Sequence, residues 1–167
     1  MILNPRYLKL LVLNWSQVCR TAQRLSISLS RLEDSFPLTF ESLSNADEDL
    51  LERLDAFRVR YGDLQDSLGG KIFRSILMAE DESPLNMADI LNRMEKRAIL
   101  DSADEWRKYR DIRNAFAHDY PDEAIQRVNA LNLAFQTSKS IIDIAENVYH
   151  YISRQGIELQ RIARADK

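Results

Sequence analysis

The chain has 167 residues, 45% apolar and 29% charged, and carries a formal net charge of -3 at pH 7. That length fits one compact domain with its own core, and four glycines and four prolines are too few turn signals for a sheet-rich protein. The slightly acidic balance argues against coating nucleic acid through bulk charge, while leaving room for a local basic patch that holds phosphates.

The first segment, "MILNPRYLKLLVLNW", holds a brief apolar run, and polarity resumes by Ser16 to Arg20. With no small-residue cleavage site and no span near ~20 apolar residues, an unexported chain without a membrane segment is expected. Leu8, Leu11, Trp15, Val18, Ala22, Leu25, Leu29 and Leu32 recur at three- and four-residue steps, which predicts one long helix from about Pro5 to Glu33. Cys19 is the only cysteine, so no intrachain disulfide forms and a reducing, cytoplasmic setting follows; its own reading is a buried helical thiol. Trp15 lies in the apolar stripe and reads as core.

Residues 34–48 mix Pro, Ser, Asn and acids and read as the longest connection, leading into a helix whose early acids suit the helix dipole. A second stripe, Leu50, Leu54, Phe57, Tyr61, Leu64, Leu68, Ile72 and Ile76, predicts a helix reaching residue 79, with a kink or break at Gly69-Gly70. After the turn "AEDESPLN", a shorter helix is expected from Met87 to about Leu100. Asp101 or Ser102 then caps the next one. Pro121 disfavours the α conformation at Tyr120, so that helix should end near His118 or Asp119. The last helix, about Asp122 to Arg154, has a seam of Val128, Leu131, Phe135, Ser138, Ile142, Ala145, Tyr149 and Ile152, widened by Ile141, Ile144, Val148 and Tyr151. Such stripes joined by short connections predict an all-α, antiparallel bundle of four to five helices, a single domain with its core at about 5–155 and a tail, 156–167, that frays or extends the final helix.

The stretch "RKYRDIRNAFAHDYP", residues 107–121, concentrates polar chemistry at a helix end. Arg110, Asn114 and His118 follow one another at i, i+4 and share a face. Arg113 lies five residues before His118, roughly 140° around the axis and ~7.5 Å along it. The two do not easily converge within one helix, but they can act together where the helix end faces a cleft, in particular one formed by two copies about a twofold axis. A helix C-terminus and Asp119 both stabilise imidazolium, which suits His118 to proton transfer near neutral pH. Arg113 can hold a phosphate through paired donors. Together they form a minimal kit for cutting RNA without a metal: the histidine exchanges a proton with the ribose 2′-hydroxyl or the leaving oxygen, and the arginine stabilises charge on the phosphoryl group. Against this stands the plainer reading of a capping histidine, because 17 arginines make such a pairing common by chance. Two histidines and one cysteine are too few for a recognisable zinc site, so neither metal nor cofactor is implied. Asp66 and Arg60 on the second helix are read as a solvated face, His150 as a surface or packing residue, and Trp106 as core or interface.

The string "RNAFAHDY", residues 113–120, resembles the Arg-x4-His-x-Tyr signature of the HEPN domains, especially the HepT-like toxins paired with minimal nucleotidyltransferases. The segment "FRVRYGDLQDSLGGKIF" also looks like the second-helix region of some of those toxins. The resemblance implies a helical bundle working as a homodimer and a metal-independent endoribonuclease, with Arg113 and His118 at the dimer cleft. It further implies Asn114 in support and Tyr120 as the tyrosine to which the nucleotidyltransferase antitoxin adds AMP. Modification there would set negative phosphates beside the cleft, where they pair with Arg113 and repel RNA. Other members of the family do not cut RNA and serve as binding partners of a nucleotidyltransferase, which is the alternative reading; a structural helical adaptor is a third.

Overall fold

The computed structural model describes residues 3–117 and 123–163. It is all-α, with no strand among the described residues: α1 (Pro5–Leu32), α2 (Phe40–Ser44), α3 (Glu48–Ser67), a π-helical turn (Leu68–Ile72), α4 (Phe73–Ala79), α5 (Met87–Lys96), α6 (Ala103–Ala117) and α7 (Ala124–Arg154). None of these helices is long and apolar enough to cross a membrane.

Each start has a local cause. Asn4 accepts from the Arg6 amide with Pro5 at the first position of α1, Asp47 accepts from Leu50 at the head of α3, and Asn86 accepts from Asp89 at the head of α5. The Ser102 hydroxyl receives the amides of Asp104 and Glu105, which fixes the start of α6. The stripe of α1 is buried at Leu11, Trp15, Val18, Ala22, Leu25 and Leu32, whereas Leu8 and Leu29 are half-buried.

Residue pairings set the directions. Gln17 meets Lys71 and Ser28 meets Arg60, so α1 runs against α3 and α4. Arg113 meets Asp66 while Trp106 lies against Gly69 and Phe73, so α6 also runs against that rod. Tyr61 meets Thr137 and Glu80 meets Tyr151, so α7 runs with it. Alternating directions give the antiparallel bundle expected from the stripes.

Four details depart from the periodicity. First, the rod at Gly69-Gly70 does not break: it widens into one π turn, where Trp106 packs so close that a Cβ at Gly69 would stand 3.0 Å from its Cζ2. Second, the 34–48 connection is structural. Its α2 carries a Thr39/Ser42 capping box, the Asn132 side chain of α7 bonds both backbone groups of Leu38 (2.7 and 2.9 Å), and Phe36 stacks on Phe135 with centroids 4.1 Å apart. Third, α5 stops at Lys96 because Ala98 takes φ 53, after which Ile99 and Leu100 fold into the core. Fourth, the described part of the tail, 156–163, does not extend α7. It leaves the helix at Gly156 and returns along α1. On α7 itself Phe135 and Tyr149 are half-buried, while Ala134, Ile141, Ile144 and Val148 are buried, the broad face that its extra aliphatics imply.

Candidate functional site

Helix α6 is held to the rod by Trp106, buried with its ring 4.9 Å from that of Phe73, while Tyr109 bonds Ser140 of α7 and burial holds its hydroxyl above its ordinary titration range. Arg113 comes seven residues after Trp106, close to two turns, so it emerges on the same face, over α3. The rod offers Gly62 there. A Cβ on Gly62 would stand 3.7 Å from Cγ of Arg113, so the bare backbone accepts the aliphatic stem of the arginine. The guanidinium then reaches one turn further along α3, where Nη2 donates to Oδ2 of Asp66 at 2.7 Å; Nη1 makes a longer contact, 3.4 Å, to Oδ1 of Asn114. Phe116 closes this end, half-buried and edge-on to Tyr61. The Tyr61 hydroxyl bonds Thr137 at 3.0 Å and is held well above the usual phenol range by burial.

These residues line a groove of about 230 Å³ whose other wall is Arg58, Val59 and Asp63 of α3. Arg58 Nε is buried with no hydrogen-bond partner among the described residues, and its Nη1 lies 3.7 Å from Asp55. Val59 is exposed. The Arg113–Asp66 side chains are 35% and 50% exposed, so water screens the pair and it adds at most ~1 kcal/mol to stability. Asp66 aims the arginine rather than holding the bundle together. The groove therefore presents the Arg113 guanidinium, held by one carboxylate, together with Arg58, two carboxylates and an aromatic edge, while the unpaired Nε of Arg58 is buried away from solvent.

Of the residues singled out in the sequence, Arg113 and Asn114 are in contact at the groove mouth. His118 and Tyr120 lie outside the described residues. Arg110 is exposed. Asp66, read from the sequence as part of a solvated face, is solvent-exposed and also bonded to Arg113; Arg60 turns the other way, donating to the Ser28 hydroxyl at 2.8 Å and the Arg24 carbonyl at 3.2 Å. His150 is exposed beside the Tyr149 ring, and Trp15 and Trp106 are core. The sequence reading missed Arg58 and Asp63. They sit at i and i+5 on a charged helix face, and no spacing rule separates them from neighbouring charges. Among the described residues no group of three or more His, Cys, Asp or Glu could hold a metal ion.

The arrangement has the means to bind an anion between Arg113 and Arg58, with Phe116 offering an edge to a base or sugar. The groups in the groove able to exchange a proton are the Asp63 and Asp66 carboxylates, and His118 lies outside the described residues. Compared with protein-family models, with curated proteins and with solved structures, the chain matches none.

Proposed function

We propose that the protein is a HEPN-type, metal-independent endoribonuclease of a toxin–antitoxin pair, acting as a homodimer. One observation carries the reading: the Arg113 guanidinium stands in an open groove, aimed by a single carboxylate and with donors to spare, at the end of the helix that leads into His118. In this reading Arg113 and Arg58 hold the scissile phosphate, and Asp66 keeps the Arg113 fork turned toward it. Asn114 supports that fork. His118 takes the proton from the ribose 2′-hydroxyl, the oxygen attacks phosphorus, and the 5′-oxygen leaves with a proton from the twin histidine across the twofold axis. AMP added to Tyr120 by a nucleotidyltransferase would bring phosphates to the same guanidinium groups and displace RNA.

The alternative, a non-catalytic partner that presents a substrate to a nucleotidyltransferase, is favoured by the 2.7 Å Arg113–Asp66 contact, which already occupies part of the arginine. RNA incubated with the purified full chain in excess chelator separates the two. The nuclease reading expects cleavage, reduced on the order of 100-fold or more in Arg113→Ala and in His118→Ala. No cleavage, together with a stable complex with a nucleotidyltransferase, would establish the alternative instead.

A further inference from the structure

A second feature, independent of the ribonuclease reading, lies on the opposite edge of α7. Gly156 takes φ 81 and turns the chain out of the helix, a backbone position that glycine adopts without strain. Residues 157–163 then run without regular secondary structure. Ile157, Leu159 and Ile162 pack half-buried on the core, while Glu158 and Gln160 face solvent. The alternation from 157 to 160 is that of an extended chain.

What holds this segment is side-chain recognition of its backbone. Trp15 Nε1 donates to the Gln160 carbonyl at 2.8 Å, and the Cys19 thiol donates to the same oxygen at 3.5 Å. Arg161 Nε donates to the Tyr149 hydroxyl at 3.1 Å, and its guanidinium lies 5.8 Å from the centre of that ring. Among the described residues no backbone–backbone hydrogen bond joins 157–163 to the rest of the chain. The strongest attachments thus come from α1 and α7, which are packed on each other without the tail.

We infer that the seam between α1 and α7 is a docking groove for an extended aliphatic peptide, filled in this chain by its own residues 157–163 as a detachable strap that closes over Cys19. A segment with few buried contacts and no backbone ladder opens at a small fraction of the free energy of global unfolding. The occupant is fixed by what the groove reads: aliphatic residues at i, i+2 and i+5, a carbonyl at i+3 and a guanidinium at i+4. Residues 157, 159, 162, 160 and 161 supply these features. Opening has a chemical consequence. Burial pushes the Cys19 thiol up to about 11, so it is inert while covered, and uncovering it raises the thiolate fraction and its access to reagents together.

The test labels Cys19 with iodoacetamide in the full chain. In wild-type protein at low urea, labelling should proceed at a rate nearly independent of urea and at least ~10-fold above the rate set by global unfolding; labelling that tracks global unfolding throughout would overturn the inference. In full-length Leu159→Asp, labelling should rise about 10-fold or more with the helical circular dichroism retained. A synthetic peptide of residues 155–163 should restore protection in that variant, and the same peptide carrying L159D should not. Unchanged labelling in the variant, failure of saturating peptide to protect, or loss of the helical signal would each show that the segment is not a detachable ligand.

Discussion

Two of the places where arginine meets carboxylate in this bundle differ in how completely the charges are answered. Where α4, α5 and α7 meet, Arg97 bonds Glu80 at 2.6 Å, Glu82 at 2.8 Å and the Arg93 carbonyl at 3.0 Å; Arg93 bonds Glu82 and Asp89; and Tyr151 donates to the other oxygen of Glu80. The Glu80 and Arg97 side chains are 2% and 14% exposed. At the groove, Arg113 has one carboxylate bond, in the open, and Arg58 has a buried nitrogen with none. A buried, mutually satisfied network fixes structure, because removing any member strands the others. An exposed, half-satisfied pair keeps donors available for something that arrives.

The two sites should differ most in what their loss does to stability. Arg97→Ala leaves Glu80 buried without its cation and should lower the unfolding free energy by about 3–5 kcal/mol in urea titrations, whereas Arg113→Ala should change it by no more than ~1 kcal/mol. Equal losses at the two sites would make the groove arginine a structural residue.

Glycine sharpens the same contrast along one rod. Gly69→Ala drives a methyl to 3.0 Å from Trp106 inside the core and should cost about 1–3 kcal/mol. Gly62→Ala meets only ordinary contact, 3.7 Å from the Arg113 stem, and should be neutral or stabilising by up to ~1 kcal/mol through helix propensity.

A smaller effect appears with pH. Burial pushes the Glu82 carboxyl up, but Arg93 and Arg97 outweigh it and hold the group below its ordinary 4.5; the Arg93 hydrogen bond and then the Leu85 amide hold Asp89 below its ordinary 3.8. Both folded-state values are depressed, so their contribution is present above the ordinary values and is lost as pH falls through the lower, folded ones. Urea midpoints should therefore be flat from neutrality to about pH 5 as far as these groups are concerned, and decline below about 4.5. In Arg93→Ala that decline should shrink; an unchanged profile would contradict the assignment.

Much of the fold was legible in the sequence because it follows from local periodicity and capping. Pro5 and the three- and four-residue steps of Leu11, Trp15, Val18 and Ala22 set α1 to within a residue of its observed end, and the Asp101-Ser102 pair announced α6, with Ser102 making the cap bonds. The Gly69-Gly70 pair signalled an irregularity, but the partner that requires a bare backbone at Gly69 is Trp106, 37 positions away in the chain, and periodicity holds no such information. The same limit applies to the site. Arg113 and Asn114 stood out by their motif, while Asp66, Arg58 and Asp63 join the groove only through the crossing of α6 over α3. The strap was illegible because an extended segment bound by side chains has neither a helical nor a hairpin pattern.

The central claim is that Arg113 serves bound RNA rather than the fold, and it is tested most directly by measuring, on one preparation each of wild type and Arg113→Ala, RNA cleavage in excess chelator alongside the urea midpoint. Wild type should cleave RNA without metal, at a rate that falls on the order of 100-fold or more in the variant, with stability preserved to within ~1 kcal/mol. Wild-type protein that leaves RNA intact, or a variant that cuts as fast as wild type, would contradict it.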